Sequence, residues 1–202
     1  YKRQSRYCLI CSMFLMEDDI NTCLHTIQKG GLILYPTDTV WGIGCDATNA
    51  TAIARIFNLK KREDSKAMIV LIAEEQDLLN YVEDASVQVF DYIKGIHKPT
   101  TVIYSKAKNL PKNLLAADGS VAIRICKDPF CKKLIQLFGK PIVSTSANIS
   151  GYPTPLCFGD ISIDIKEGVD YVVKHRQEET NLQPPSSIIK WDAEGNLIII
   201  RP

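Results

Sequence analysis

Hydroxyl and amide side chains follow an apolar stretch in residues 141–151, which read PIVSTSANISG. Ser144, Ser146 and Asn148 alternate along the chain, so in an extended backbone they project from one face. Such groups at the carboxyl end of a strand are suited to bind a polar ligand, because α/β sheets bind ligands at that edge. The other interpretation is a loop rich in Ser and Asn whose side chains hydrogen-bond their own backbone. The motif alone leaves both open.

Cationic side chains are concentrated in residues 60–66, KKREDSK, between a helical and an apolar segment. Lys60, Arg62 and Lys66 could clamp a polyphosphate, because Arg offers a bidentate fork and Lys a point charge. The alternative is a solvated helix end, where cations complement the negative pole of the helix dipole.

Arg124 lies among apolar residues in the segment GSVAIRI, residues 119–125. By strand alternation it shares a face with Ser120 and Ala122. An unpaired buried charge is costly, so we expect a carboxylate partner, which belongs either to the protein or to a ligand.

A second polar segment, PTDTVWGIG at residues 36–44, directly follows an apolar run. Its Thr and Asp side chains offer hydroxyl and carboxylate groups, and its glycines allow a tight backbone path. The alternative is a helix-capping turn, since Thr and Asp also cap backbone N–H groups.

Composition narrows the class of protein. The chain has 202 residues, a net charge of +1 and 46% hydrophobic residues, which predicts one soluble globular domain without a general attraction to nucleic acid or membrane. The sequence contains no P-loop and no recognisable catalytic triad or metal-ligand set. Its cysteines, odd in number and scattered through apolar segments, indicate reduced thiols and a cytoplasmic location.

The polar segments must be positioned by a mixture of helices and strands. Apolar periodicity predicts helices over residues 18–29, 51–60 and 129–138 and two helical pieces within 74–94. Short apolar runs predict strands at residues 32–35, 68–72, 101–104, 121–126, 142–144, 171–173, 187–191 and 197–201. Because helices connect the early strands and hairpins the late ones, we expect a mixed sheet with helices on its faces.

Taken in order, these segments resemble the YrdC-domain family of threonylcarbamoyl-AMP synthases over residues 17–202. The motifs that carry the resemblance are PTDTVWGIG, LKKRxxxKAMIV, PTT, VAIRI, PIVSTSANISG, PSSII and IIIRP. The resemblance implies a single α/β (α+β-like) domain, in which a twisted mixed sheet flanked by helices surrounds a central concave cavity. We assign residues 13–202 to this catalytic domain and residues 1–12 to a leader of unknown role.

The resemblance also implies the reaction. The family makes threonylcarbamoyl-AMP from L-threonine, bicarbonate and ATP and releases pyrophosphate, a nucleotidyltransferase reaction that serves threonylcarbamoyladenosine modification of tRNA. No metal ligand from a protein side chain is implied, and Mg²⁺ is expected to be held mainly by the ATP phosphates.

Individual residues receive roles from the same resemblance. The residues expected to bind L-threonine are Thr37, Arg124, Ser144 and Ser186. The residues expected to bind ATP are Lys60, Arg62, Lys66, Ser120, Ser146, Asn148, Thr154 and Arg201. Lys60 and Arg62 are also the expected catalytic pair, because cations stabilise charge on a transferring phosphoryl group.

The expected partners beyond the substrates are tRNA or a tRNA-modifying transferase complex; no membrane is implied, and the oligomeric state stays open. The alternative function is an RNA-binding or translation-associated module without catalysis, to which the basic segment 60–66 would contribute. A net charge of +1 and the lack of interleaved aromatic residues count against that alternative.

Overall fold

A mixed sheet forms the centre of the computed structural model, which describes residues 2–61, 68–83, 87–96, 98–180, 184–192 and 195–202. The strands found in those residues are β1 (Ile33–Tyr35), β2 (Gly42–Gly44), β3 (Ile69–Ile72), β4 (Thr100–Tyr104), β5 (Val121–Ile125), β6 (Ile142–Ser146), β7 (Tyr171–Val172), β8 (Ser187–Trp191) and β9 (Leu197–Arg201). Their order across the sheet is β7-β1-β2-β6-β3-β5-β4-β8-β9. The pairs β1–β7, β3–β5 and β4–β8 are parallel and the other neighbours antiparallel, which confirms the predicted mixed sheet.

Helices connect and flank these strands. The α-helices are α1 (Lys2–Gln28), α2 (Ala50–Lys60), α3 (Val87–Lys94), α4 (Pro129–Phe138) and α5 (Ile163–Glu167), and short 3₁₀ turns lie at Glu75–Asn80, Lys112–Leu114 and Phe158–Asp160. Helix α2 begins after Asn49, whose side chain accepts hydrogen bonds from the next turn. Helix α4 has Pro129 in its first turn and ends at Gly139, which adopts φ 71°. In the described part of the chain, no helix combines the length and the hydropathy that a membrane span requires.

Helix α1 is longer than predicted. It starts at Lys2 and continues through residue 18, where we expected the first helix to begin. The helix therefore crosses the boundary placed after residue 12, and the division into a leader and a catalytic domain stays a prediction.

Among the strands and α-helices of the described residues, β2 and α5 are the two that the sequence did not predict. Strand β2 reads Gly-Ile-Gly, a composition that normally weakens a strand. It forms because β1 and β6 pack closely on both sides of it. A Cβ atom at Gly44 would lie 2.7 Å from the carbonyl oxygen of Val143 and 2.7 Å from the Tyr35 ring, so only glycine fits there without a shift.

Strand β6 changes character along its length, and this change positions the polar residues. Ile142 and Val143 are completely buried in the apolar core, and Ser144 follows them while still inside the strand. Strand β3 lies beside β6 on one side and beside β5 on the other. The polar end of β6 and the Arg124 side chain of β5 are thus held by one rigid sheet.

Candidate active site

A cavity of about 220 Å³, here called the first cavity, lies against the sheet and is lined by residues from β2, β3, β5, β6, β8 and β9. It collects several residues that the sequence placed in one site, although they lie far apart along the chain. Those expected residues are Arg124, Ser144, Ser146, Thr154, Ser186 and Arg201. The others that line it are Thr39, Val40, Gly42, Met68, Ile69, Thr145, Pro185 and Ile188.

Arg124 reaches this cavity from β5 and pairs with a carboxylate of the protein. Its Nη2 atom lies 3.0 Å from Oδ1 of Asp38, and the two side chains are 3% and 13% exposed. Burial raises the pKa of Asp38, while the positive charge of Arg124 opposes that rise. Of the two partners that the sequence left open for Arg124, the structure shows the protein carboxylate.

Ser186 and Arg201 contribute another part of the cavity wall. The Ser186 hydroxyl lies 2.8 Å from that of Thr101, and Arg201 donates from Nε to the Ser186 carbonyl oxygen at 2.9 Å. Burial lowers the pKa of Arg201, and the positive charge of Arg124 acts in the same direction. Two guanidinium groups that influence each other across a cavity lined by hydroxyls favour an anionic ligand.

Comparison with known proteins assigns the chain to a family. The Sua5/YciO/YrdC family model, which carries the description "Telomere recombination", matches residues 25–202. The chain belongs to the Sua5/YciO/YrdC family. A relative from Pseudoalteromonas translucida named threonylcarbamoyl-AMP synthase is 37% identical over 160 residues, covering 78% of this chain and 86% of the relative. An Escherichia coli K12 protein of the same name is 34% identical over 142 residues, covering 69% of this chain and 75% of its own.

Solved structures of the Sua5/YciO/YrdC family share the fold. Pyrococcus abyssi Sua5 in complex with L-threonine has a TM-score of 0.79 and 26% identity over 91% of this chain, which spans 53% of that Sua5 chain. Escherichia coli YciO has a TM-score of 0.77 and 23% identity, covering 90% of this chain and 87% of that one. The predicted family and the predicted fold are both confirmed.

The Ser-x-Asn segment, Ser146 to Asn148, forms hydrogen bonds within its own turn and also lines two cavities. Ser146 donates from Oγ to Oδ1 of Asn148 at 2.5 Å, and Asn148 donates from Nδ2 to the Tyr152 carbonyl oxygen at 2.7 Å. Ser146 lines the first cavity, whereas Asn148 lines a neighbouring one of about 740 Å³ that shares Thr154 with it. The interpretation as a loop bonded to itself is therefore observed, and the role of Ser146 and Asn148 in binding a ligand stays a prediction.

Lys60 anchors this turn from the last position of α2. Its ammonium group donates to the carbonyl oxygens of Ser146 and Asn148, the latter at 2.5 Å. The side chain is 1% exposed, so the interpretation as a solvated helix end is wrong for Lys60. Its expected role on the nucleotide phosphates stays a prediction, as do those of Arg62 and Lys66, which lie outside the described residues.

Two other expected site residues lie outside the first cavity. Thr37 borders an adjacent cavity of about 540 Å³, which shares Thr39 and Val40 with the first. Ser120 is buried just before β5, where its backbone N–H donates to Asp118 at 3.0 Å. The role of Thr37 in binding threonine and that of Ser120 in binding ATP stay predictions.

The structure adds Asp38 and Gly42 to the site. Both lie in the PTDTVWGIG segment, so its hydroxyl, carboxylate and glycine content was the signal that could have identified them. Asp38 pairs with Arg124, which lies far from it in the sequence. At Gly42 a Cβ atom would lie only 3.2 Å from the Ser144 Oγ, so glycine lets β2 pass close to Ser144. Neither contact follows from local periodicity.

Proposed function

We propose that this chain synthesises threonylcarbamoyl-AMP from L-threonine, bicarbonate and ATP and releases pyrophosphate, acting as a nucleotidyltransferase. Two relatives more than 30% identical to it carry the name of that synthase. The P. abyssi Sua5 structure was determined with L-threonine, which supports threonine as the amino-acid substrate of this chain.

One observation carries the proposal most directly. Residues expected to bind threonine and residues expected to bind ATP line the same small cavity, although they come from distant segments of the sequence. Arg124, Ser144 and Ser186 belong to the first group, and Ser146 and Arg201 to the second. Two substrates that must react with each other have to be held side by side in this way.

The proposed chemistry proceeds without a covalent enzyme intermediate. The threonine amine, after loss of a proton, combines with bicarbonate to form a carbamate and water. A carbamate oxygen then attacks the α-phosphorus of ATP, and the bond from that phosphorus to the bridging oxygen breaks as pyrophosphate leaves. Arg124 would orient the threonine carboxylate. The positive charges of Arg62 and of Lys60, whose ammonium group already donates to the carbonyl oxygens of Ser146 and Asn148, would offset charge on the phosphoryl groups.

Mg²⁺ enters this proposal as part of the ATP substrate. The described residues contain no group of three or more His, Cys, Asp or Glu side chains that could hold a metal ion. The side chains that line the first cavity offer mainly hydroxyl and guanidinium groups, which suits an anion better than a bare cation. A magnesium ion carried by ATP phosphates and water would fit such a site, because Mg²⁺ usually keeps several waters.

The setting of the reaction is part of the proposal. We propose a cytoplasmic enzyme whose product is passed to a tRNA-modifying transferase complex or used close to tRNA. The cysteines whose side chains are described, Cys23, Cys45, Cys126, Cys131 and Cys157, are all free thiols, which suits a reducing compartment.

The decisive experiment measures pyrophosphate release from Mg·ATP, with threonine and bicarbonate each omitted in turn. We expect release only when both are present, together with threonylcarbamoyl-AMP detected by mass spectrometry. Release that needs neither co-substrate would instead indicate a nucleotide hydrolase. ATP binding without any release, combined with RNA binding that weakens steeply with salt, would favour the non-catalytic alternative.

A further inference from the structure

Asp38 is the acidic partner of a buried ion pair at the edge of the first cavity. Its Oδ1 atom lies 3.0 Å from Nη2 of Arg124, and both side chains are largely withdrawn from solvent. Within the described residues, neither Asp38 Oδ1 nor Arg124 Nε has an aligned hydrogen-bond partner. The attraction is therefore mainly electrostatic, and it acts where water screens it little.

The backbone around Asp38 is fixed by its neighbours. Thr37 donates from Oγ1 to the Val40 carbonyl oxygen at 2.8 Å and accepts a hydrogen bond from the Thr39 backbone N–H at 3.0 Å. These bonds close a tight turn with Asp38 inside it, and Thr39 and Val40 continue into the wall of the first cavity. The turn therefore places the Asp38 carboxylate beside Arg124 before any ligand arrives.

The charge balance of the site depends on this carboxylate. Arg124 and Arg201 both line the cavity, and no Asp or Glu is among the described residues that line it. A buried guanidinium without a counter-charge would be costly, and its long side chain would be free to rotate away. Asp38 supplies the counter-charge from outside the cavity and leaves the cavity itself open.

We propose that Asp38 is a positioning residue: its carboxylate holds the Arg124 guanidinium in the orientation that receives the carboxylate of L-threonine. This inference rests on the proposed function, because it assumes that threonine binds at Arg124. Asp38 acts through Arg124 and does not touch the substrate. It should therefore affect threonine binding strongly and ATP binding weakly.

The test compares Asp38→Asn and Asp38→Glu with Asp46→Asn as a matched control. Asp46 also carries a buried carboxylate, 10% exposed and paired with Lys140 at 3.3 Å, and it does not line the first cavity. Calorimetric titration of each protein with threonine and with ATP gives both dissociation constants, and thermal unfolding shows that each protein is folded.

For Asp38→Asn we expect the dissociation constant for threonine to rise about 10- to 100-fold, the range for a lost interaction with a charged group. The constant for ATP should change less than about threefold, Asp38→Glu should recover part of the threonine affinity, and Asp46→Asn should leave both constants near wild type. An equal loss for both ligands would overturn the positioning role, as would unchanged threonine affinity in folded Asp38→Asn. Failure of the wild-type protein to bind threonine would instead overturn the proposed function.

A double-mutant cycle tests whether Asp38 acts through Arg124. The value of kcat/KM for threonine is measured for Asp38→Asn, Arg124→Ala and the double variant, because this slope stays measurable when binding is weak. If the inference is right, Asp38→Asn has almost no further effect once Arg124 is absent. Independent, multiplicative losses would overturn it.

Discussion

Replacement of Lys60 by methionine should destabilise the protein more than a single change at a helix end normally does. The Lys60 ammonium donates to the carbonyl oxygens of Ser146 and Asn148 while its side chain is almost completely buried. Each hydrogen bond from a charged group contributes about 1.5–3 kcal/mol, and methionine keeps the apolar stem but leaves both carbonyl groups without this donor. We therefore expect a loss of about 3 kcal/mol or more in the free energy of unfolding.

Urea unfolding followed by circular dichroism measures this loss, and thermal unfolding should show a midpoint lower by about 6–12 °C, at about 2–4 °C per kcal/mol for a chain of this size. Lys61→Met is the matched control, because Lys61 is the next residue and its side chain is exposed. The control should change the free energy by no more than about 0.5 kcal/mol. Equal stability of the two variants would refute the anchoring role of Lys60 at the Ser146–Asn148 turn.

Three further substitutions separate binding from folding. Arg124→Ala should raise the KM for threonine by at least about 10-fold while that for ATP changes little; steady-state pyrophosphate release measures both, and equal increases would remove Arg124 from the carboxylate role. Gly42→Ala places a Cβ atom 3.2 Å from the Ser144 Oγ inside the cavity, so we expect a higher KM for threonine with little change in the urea midpoint. Gly44→Ala meets the Val143 carbonyl oxygen at 2.7 Å and should lower the free energy of unfolding by about 1–3 kcal/mol; a urea midpoint equal to wild type would show that β2 can move.

The sequence predicted best those elements whose first and last residues are set by local signals, such as a proline, a glycine or a turn. Helix α4 was predicted to the residue because Pro129 starts it and Gly139 ends it. Strands β8 and β9 were predicted with their observed limits, because each is an apolar run next to a turn signal. The antiparallel pairing of β8 with β9 confirms, for this pair of late strands, the predicted connection by a hairpin.

Contacts between distant segments explain what the sequence could not predict. Strand β2 depends on close packing between β1 and β6 and not on the propensity of its two glycines. Burial of Lys60 depends on the approach of the β6 turn to the end of α2. The pairing of Asp38 with Arg124 joins two distant segments, and the sequence showed only that Arg124 needed a carboxylate partner, not which one.

The distribution of polar groups within the sheet connects this fold to the proposed reaction. Buried Arg124, Ser144 and Ser186 stand on or beside strands, where the pleat and the hydrogen-bond ladder fix their directions. Polar groups in such positions weaken the core, and the apolar residues of the same strands, such as Val143, have to offset that cost. A reaction that forms no covalent enzyme intermediate depends on holding its substrates in a fixed arrangement, so rigid placement is the catalytic contribution that this sheet can make. The same reasoning explains why the acidic partner of Arg124 lies outside the cavity lining: a carboxylate inside it would repel the anionic substrates that the arginines attract.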